Sequence, residues 1–229
     1  MKQNVKRLRR RIVVDEYTTI SSVWAVPAHF QPGLTDALIL AHGAGNDMTN
    51  PFLSFVHESL AAEGWLTIKF NFPYKEQGKA APDPPAKLER AFKAVLIIAR
   101  QSRLKPRRVF IGGKSMGGRI ASHLAAQGED VAGLVLLGYP LHPPSRPTQL
   151  RSVHLKEIAC PMLFISGTRD AFCQLTLLEQ ILKELSTSAT LHVVEGADHS
   201  FVVPKQLGRT TKDVWQEIVR VTATWLKQV

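Results

Sequence analysis

The chain predicts an α/β architecture: a mostly parallel, twisted sheet with helices on both faces. Three observations carry this. Short apolar runs alternate with segments of helical periodicity from residue 37 onward, and several of them (37–41, 109–112, 131–137 and 162–165) are apolar at successive positions rather than at alternate ones. A serine bracketed by glycines, Gly113-Lys114-Ser115-Met116-Gly117, directly follows one of those runs. Regular alternation implies crossover connections between parallel strands, and unbroken apolarity implies strands covered on both faces.

The elements follow in order. Residues 11–14 and 22–26, joined through 15–19, read as an antiparallel edge pair. Residues 37–41 form a strand, and 52–60 a helix with Asn50 as N-cap, Pro51 at the first helical position and Gly64 as the stop. Residues 66–70 form a strand; Leu88, Phe92, Val95 and Ile98 or Ala99 keep helical spacing over 86–102. Residues 109–112 form the strand that feeds Ser115, and Ile120, His123 and Leu124 belong to the helix after it, closing at Gly128. Three further strands are expected at 131–137, 162–165 and 190–194. Leu177, Leu178, Ile181, Leu182 and Leu185 mark a helix between the last two, and Val214, Ile218, Val221 and Trp225 a closing helix. A chain of 229 residues suits one sizeable core, so a single domain over 1–229 is expected.

Composition narrows the function. No apolar stretch approaches the roughly 20 residues that span a bilayer, and the basic N-terminus lacks the apolar core and cleavage site of a signal peptide. Two cysteines, Cys160 and Cys173, have neither metal-ligand nor redox spacing, which fits free thiols in a reducing, cytoplasmic setting. The net charge of +10 is concentrated in two places. Residues 1–11 hold six basic and no acidic side chains, as do residues 101–120, leaving 17 basic against 19 acidic elsewhere. The first patch reads as a frayed or edge segment. Most of the second lies before the 109–112 strand, at the end of the sheet opposite Ser115. The patches are expected to be solvated surface rather than a nucleic-acid site, with polyanion binding as the competing reading.

In an open parallel sheet, chemistry sits at the carboxyl ends of the strands, and that rule selects the candidates. Ser115 follows its strand on a sharp turn that needs small residues at 113 and 117, which is how a nucleophilic hydroxyl is held out toward a substrate. After 37–41 comes His42-Gly43-Ala44-Gly45-Asn46, whose glycines allow a tight turn with amides facing the crevice; Ala44 and Met116 amides are the candidate oxyanion donors. His42 is assigned a structural role. After 162–165 comes Asp170, placed to orient an imidazole, with a helix N-cap before Ala171 as the plainer reading. After 190–194 comes His199, with reach to both Ser115 and Asp170; Asp198 is read as stabilising that loop. Gly43, Gly45, Tyr74, Tyr139 and His142 are candidate pocket residues, the last two equally readable as loop scaffolding. Two excursions, 71–86 and 139–159, supply the pocket walls, and the second is too short for a separate cap domain, which leaves an open, shallow site.

The order Ser115, Asp170, His199 resembles that of the α/β-hydrolase superfamily, over essentially the whole chain. Segments 41–45, 138–143, 166–170 and 197–201 resemble a small lidless branch of it. That branch holds bacterial predicted hydrolases, testis-expressed relatives and a domain of a chromatin acetyltransferase-complex subunit. The resemblance implies an α/β-hydrolase fold, Ser115 as nucleophile, Asp170 as acid and His199 as base, and it implies no substrate. The open site suits a small ester or an exposed acyl group, and acyl transfer through these three residues needs no cofactor. Part of the branch works as an interaction module, so a catalytically idle binding domain is the rival expectation.

Other readings fit poorly. A phosphate-binding P-loop would need glycine where Arg108 stands, and no G-x-G-x-x-G follows the first parallel strand. His57-Glu58 lacks a second histidine four residues on, so no zinc motif is formed and no metal is expected. Cys173 is three residues past Asp170, off the turn that presents a nucleophile.

Overall fold

The computed structural model describes residues 5–229, so Lys2 of the basic segment lies outside the described residues. Among the described residues, eight strands form one sheet in the order β1-β2-β4-β3-β5-β6-β7-β8. In chain order they are β1 (Lys6–Asp15), β2 (Thr18–Val26), β3 (Ala37–Ala41), β4 (Leu66–Phe70), β5 (Val109–Lys114), β6 (Leu134–Leu137), β7 (Met162–Gly167) and β8 (Ala189–Val194). β1 and β2 join antiparallel; every pairing from β4 to β8 is parallel. Helices α1 (Pro51–Ala62), α2 (Pro73–Glu76), α3 (Pro85–Gln101), α4 (Met116–Ala126), α5 (Leu175–Lys183) and α6 (Thr211–Gln228) cover the sheet.

The unbroken apolar runs divide their side chains between two cores. On β3, Ala37, Ile39 and Ala41 join Leu88, Phe92 and Ile120 on one face, while Leu38 and Leu40 join Phe52, Val56 and Ile218 on the other. β6 divides likewise, Leu134 and Leu136 against Val135 and Leu137. α3, α4 and α5 thus cover one face, and α1 and α6 the other. Asn50 accepts the Leu53 N–H to start α1, with Pro51 in the first turn where no N–H is missed.

The structure departs from the sequence reading in four places. β1 spans ten residues where four were expected, and residues 6–11 are a paired edge strand rather than a frayed segment. Alternation explains this. Arg10 on one face stacks 4.4 Å over the Trp24 ring, while Arg7 and Arg11 on the other bind Glu58 and Glu76. β6 begins at Leu134 instead of 131, although Ala132 already donates to the Val109 carbonyl and the Gly133 carbonyl accepts the Ile111 N–H; a side chain on Gly133 would meet Trp225 at 3.0 Å and the Pro161 carbonyl at 3.1 Å. α5 starts at Leu175 with Gln174 at its N-cap position, so Asp170 caps no helix. The second basic patch is partly neutralised: Arg107 and Arg108 both bind Asp36, and Arg108 also donates to the Val229 carbonyl. Burial opposes a charge on Asp36, yet the two guanidinium groups outweigh it and hold its pKa below the ordinary value.

Among the described residues no helix is long and apolar enough to cross a membrane. Nor does any group of three or more histidine, cysteine or acidic side chains there have the arrangement to hold a metal ion.

Candidate active site

β5 runs directly into Ser115 without a loop, because Gly113 and Lys114 remain in the strand. Ser115 itself adopts φ 51°, ψ −116°, a conformation that L-residues rarely occupy. It is held there from both sides: its N–H donates to the Leu137 carbonyl and its carbonyl accepts the Arg119 N–H as α4 begins. The two bracketing glycines let β3 come close. A side chain on Gly113 would stand 2.3 Å from the Ala41 oxygen, and one on Gly117 at the same distance from the same atom.

Three loops from three strand ends meet here. The Ser115 hydroxyl donates to His199 Nε2 at 2.8 Å, and His199 Nδ1 donates to Asp170 Oδ2 at 2.8 Å and Oδ1 at 2.9 Å. A carboxylate can only accept, so the ring proton sits on Nδ1 and Nε2 is left as the acceptor for the serine proton. The Asp170 side chain has no exposure, while His199 keeps a fifth of its surface. Asp170 also accepts the Phe172 N–H at 2.8 Å, and the Phe172 ring packs 4.3 Å from the imidazole. Asp198 accepts the N–H groups of Ser200 and Val202, fixing the loop that carries His199.

The Gly43 turn faces the serine: a side chain there would meet the Ser115 Cβ at 3.5 Å. Ala44 and Gly45 are exposed and Met116 is half-buried, and the Ala44 and Met116 amides donate to no group among the described residues. His42 braces this turn. It is buried, its Nδ1–H donates to the Gly43 carbonyl at 2.9 Å, and its Nε2 accepts the Phe72 N–H at 3.1 Å. Burial pushes its pKa down to about 4, so the ring is neutral.

The three larger pocket candidates are scaffold instead. Tyr74 is fully buried against the His42 ring. Tyr139 is also fully buried, packs on Phe164, and donates its hydroxyl to the Arg151 carbonyl at 2.6 Å. His142 is buried and ties its loop to the segment after Asp170 by accepting the Gln174 N–H at 3.0 Å. Each aromatic or polar residue of this kind sits beside the site in sequence, but its side chain turns inward to satisfy the core. Cys173 is buried against Ser166, and burial drives its thiol up to about 12, which removes it as a nucleophile near neutral pH.

Lys114 is the residue that sequence reasoning passed over. Its place beside the serine was visible, but a lysine in a basic patch reads as solvated. The space a Gly138 side chain would fill is taken by the Lys114 ammonium, 2.8 Å from that point, and by the His199 ring, whose Nδ1 is 3.6 Å from it. The ammonium also lies 5.4 Å over the Phe201 ring. Burial drives its pKa down to about 8, with the Asp170 and Asp198 carboxylates opposing part of that shift. In the unfolded chain a lysine titrates near 10.4. Folding therefore disfavours the Lys114 proton below pH 8, and that cost fades as pH rises toward the unfolded value. Lys114→Met should thus raise stability by at most about 3 kcal/mol at pH 7, with the gain shrinking at pH 10. Urea unfolding of both proteins at the two pH values checks this; an equal difference at both would show that the ammonium is not desolvated.

A serine on a strained turn after β5, an acid after β7 and a histidine after β8, on a sheet of this order, define the α/β-hydrolase fold. A profile described as "Alpha/beta hydrolase domain" matches residues 35–227, and the chain belongs to that family. Its fold is similar to that of a dienelactone hydrolase from Anabaena variabilis, at 20% identity over 98% of each chain and a TM-score of 0.76. It is also similar to an alpha-beta serine hydrolase homologue from Coxiella burnetii, at 20% identity over 93% of this chain and 96% of that one, TM-score 0.73. A third neighbour is XC6422 from Xanthomonas campestris, a serine hydrolase without a lid (17% identity, 96% and 95% coverage, TM-score 0.71). At such identities the likeness speaks for the fold alone.

Proposed function

We propose that this chain is a single-domain serine hydrolase that cleaves an ester-type acyl bond in a small substrate. The observation that carries the reading is the unbroken hydrogen-bonded chain from Ser115 Oγ through both nitrogens of His199 to the buried Asp170 carboxylate. His199 Nε2 takes the hydroxyl proton as Ser115 Oγ attacks the acyl carbon, and Asp170 stabilises the imidazolium that forms. The tetrahedral oxyanion is held by the Ala44 and Met116 amides, beside Gly43 and Gly45. His199 then returns its proton to the leaving oxygen as that bond breaks. Water, deprotonated by the same nitrogen, attacks the acyl-serine and restores the enzyme. No group outside the chain is required by this sequence of steps.

The exposed Ala44–Gly45 turn and the half-buried serine favour a short or projecting acyl group over a buried long chain. The motifs at 41–45, 138–143, 166–170 and 197–201 support assignment to the lidless branch with testis-expressed and acetyltransferase-complex relatives. A fluorophosphonate probe tests the mechanism, since it phosphonylates only an activated serine. Expected is one label per folded chain, on Ser115 by peptide mapping. Folded protein that takes no label would sink the enzyme reading and favour an idle interaction module.

A further inference from the structure

Away from Ser115, on the α1 face of the sheet, a cavity of about 500 Å³ opens between β1 and the N-terminal half of α1. Its size falls within the range of small-molecule sites, roughly 300–1,000 Å³. The alternation of β1 places Arg7, Arg9 and Arg11 along one wall, and the register sets Arg9 opposite Val23 and Val23 opposite Lys69. Arg7 is held by Glu58, the one carboxylate in the lining, and Arg11 by Glu76. Arg9 and Lys69 have no carboxylate within ion-pair distance among the described residues. Two positive charges therefore face the same space with no carboxylate paired to either, although Glu58 and Asp47 lie near enough to attract Lys69.

From these groups we propose that the cavity binds a small phosphorylated molecule. Lys69 is buried and donates one N–H to Ser54 Oγ at 2.6 Å, leaving two for a ligand. Ser54 Oγ accepts that hydrogen bond, so its own hydroxyl hydrogen is available to an incoming oxygen. Arg9 supplies a planar fork suited to two oxygens of one group. A phosphate monoester carries close to two negative charges near neutral pH and three acceptor oxygens, which matches two cations and a hydroxyl better than a carboxylate does. Beside the hydroxyl residues Ser21, Ser22 and Thr49, the lining offers Val23, Met48 and the arginine stems to cover the organic part. Burial holds the Lys69 pKa below the ordinary lysine value, and an anion beside it relieves part of that desolvation. The site is independent of whether Ser115 turns over esters.

Isothermal titration calorimetry with phenyl phosphate, inorganic phosphate and benzoate on the full chain tests it. Phenyl phosphate should bind saturably at one site, more tightly than benzoate. Arg9→Ala and Lys69→Met should each weaken binding by roughly tenfold or more. Arg103→Ala, an exposed arginine of the other basic patch, should leave binding unchanged. Inorganic phosphate binding as tightly as phenyl phosphate would also support the site, assigning its affinity to the phosphate group. If Lys69→Met does not fold, Arg9→Ala decides alone, because that side chain is exposed on an edge strand. No saturable binding by the parent, or an equal loss in Arg9→Ala and Arg103→Ala, would overturn the proposal.

Discussion

Ser115→Ala is expected to lower kcat on short p-nitrophenyl esters by on the order of 10⁴-fold or more, with little change in stability. In the proposed mechanism the deleted atom is the one that forms the new bond, and the Cys173 thiol, buried and held protonated, does not replace it. His199→Ala should fall by a similar factor, and the double variant by little more, because serine and histidine act as a unit. Asp170→Asn should lose somewhat less, by a different route. An amide at residue 170 offers a donor as well as an acceptor to His199 Nδ1. It therefore permits the tautomer with its proton on Nε2, the wrong nitrogen for accepting from Ser115. Steady-state kinetics of the four variants checks the set. Turnover by Ser115→Ala at the parent's rate would rule out the mechanism outright.

Gly117→Ala is expected to destabilise the fold by about 3–5 kcal/mol. The added carbon would stand 2.3 Å from the Ala41 oxygen, 2.6 Å from the Ala41 carbon and 2.8 Å from the His42 oxygen. All three are backbone atoms of the central strand and its turn, so no side chain can swing aside. Relief requires α4 to move away from β3, and that movement carries Ser115 away from the Gly43–Ala44 turn. For a chain of this length the melting temperature should drop by on the order of 10 °C. Any folded fraction should still lose about 10²-fold in activity through misplacement. Gly128→Ala is the contrast: its φ is 86° but nothing stands within 4 Å, so only the backbone strain of about 1 kcal/mol remains. A thermal melt of Gly117→Ala within a degree or two of the parent would mean that β3 and α4 are farther apart than described.

Where the sequence was informative, its signal was local and periodic. Apolar runs of four to seven residues, alternating with longer segments of helical spacing, read as strands with both faces covered, and the strand-end rule then brings Ser115, Asp170 and His199 together without any distance information. These three are the residues that the structure joins by hydrogen bonds. Side-chain direction in irregular segments was not legible. Tyr139 and His142 stand just after β6, yet whether a side chain turns toward the crevice or the core depends on partners such as the Arg151 carbonyl and the Gln174 amide, which arrive from elsewhere in the chain. Phe172, packed on the imidazole, gave no signal for the same reason. Lys114 misled because charge suggests solvent. The ends of β1 were hidden in the same way, since arginines at successive positions look unstructured until Trp24, Glu58 and Glu76 are brought against them.

β1 also bears on how copies of the chain treat one another. It is the outermost strand, and among the described residues no strand pairs with its far side along its ten residues. A strand of that length is a ready template for recruiting another strand, the route by which β-proteins aggregate. Here Lys6, Arg7, Arg9, Arg10 and Arg11 occupy half of it. Two such edges brought together would set like charges a few ångströms apart at pair after pair, a directly unfavourable arrangement. The same arginines that shape a cavity on one face thus act as a guard against self-templating, strongest at low ionic strength and weakened as salt screens it.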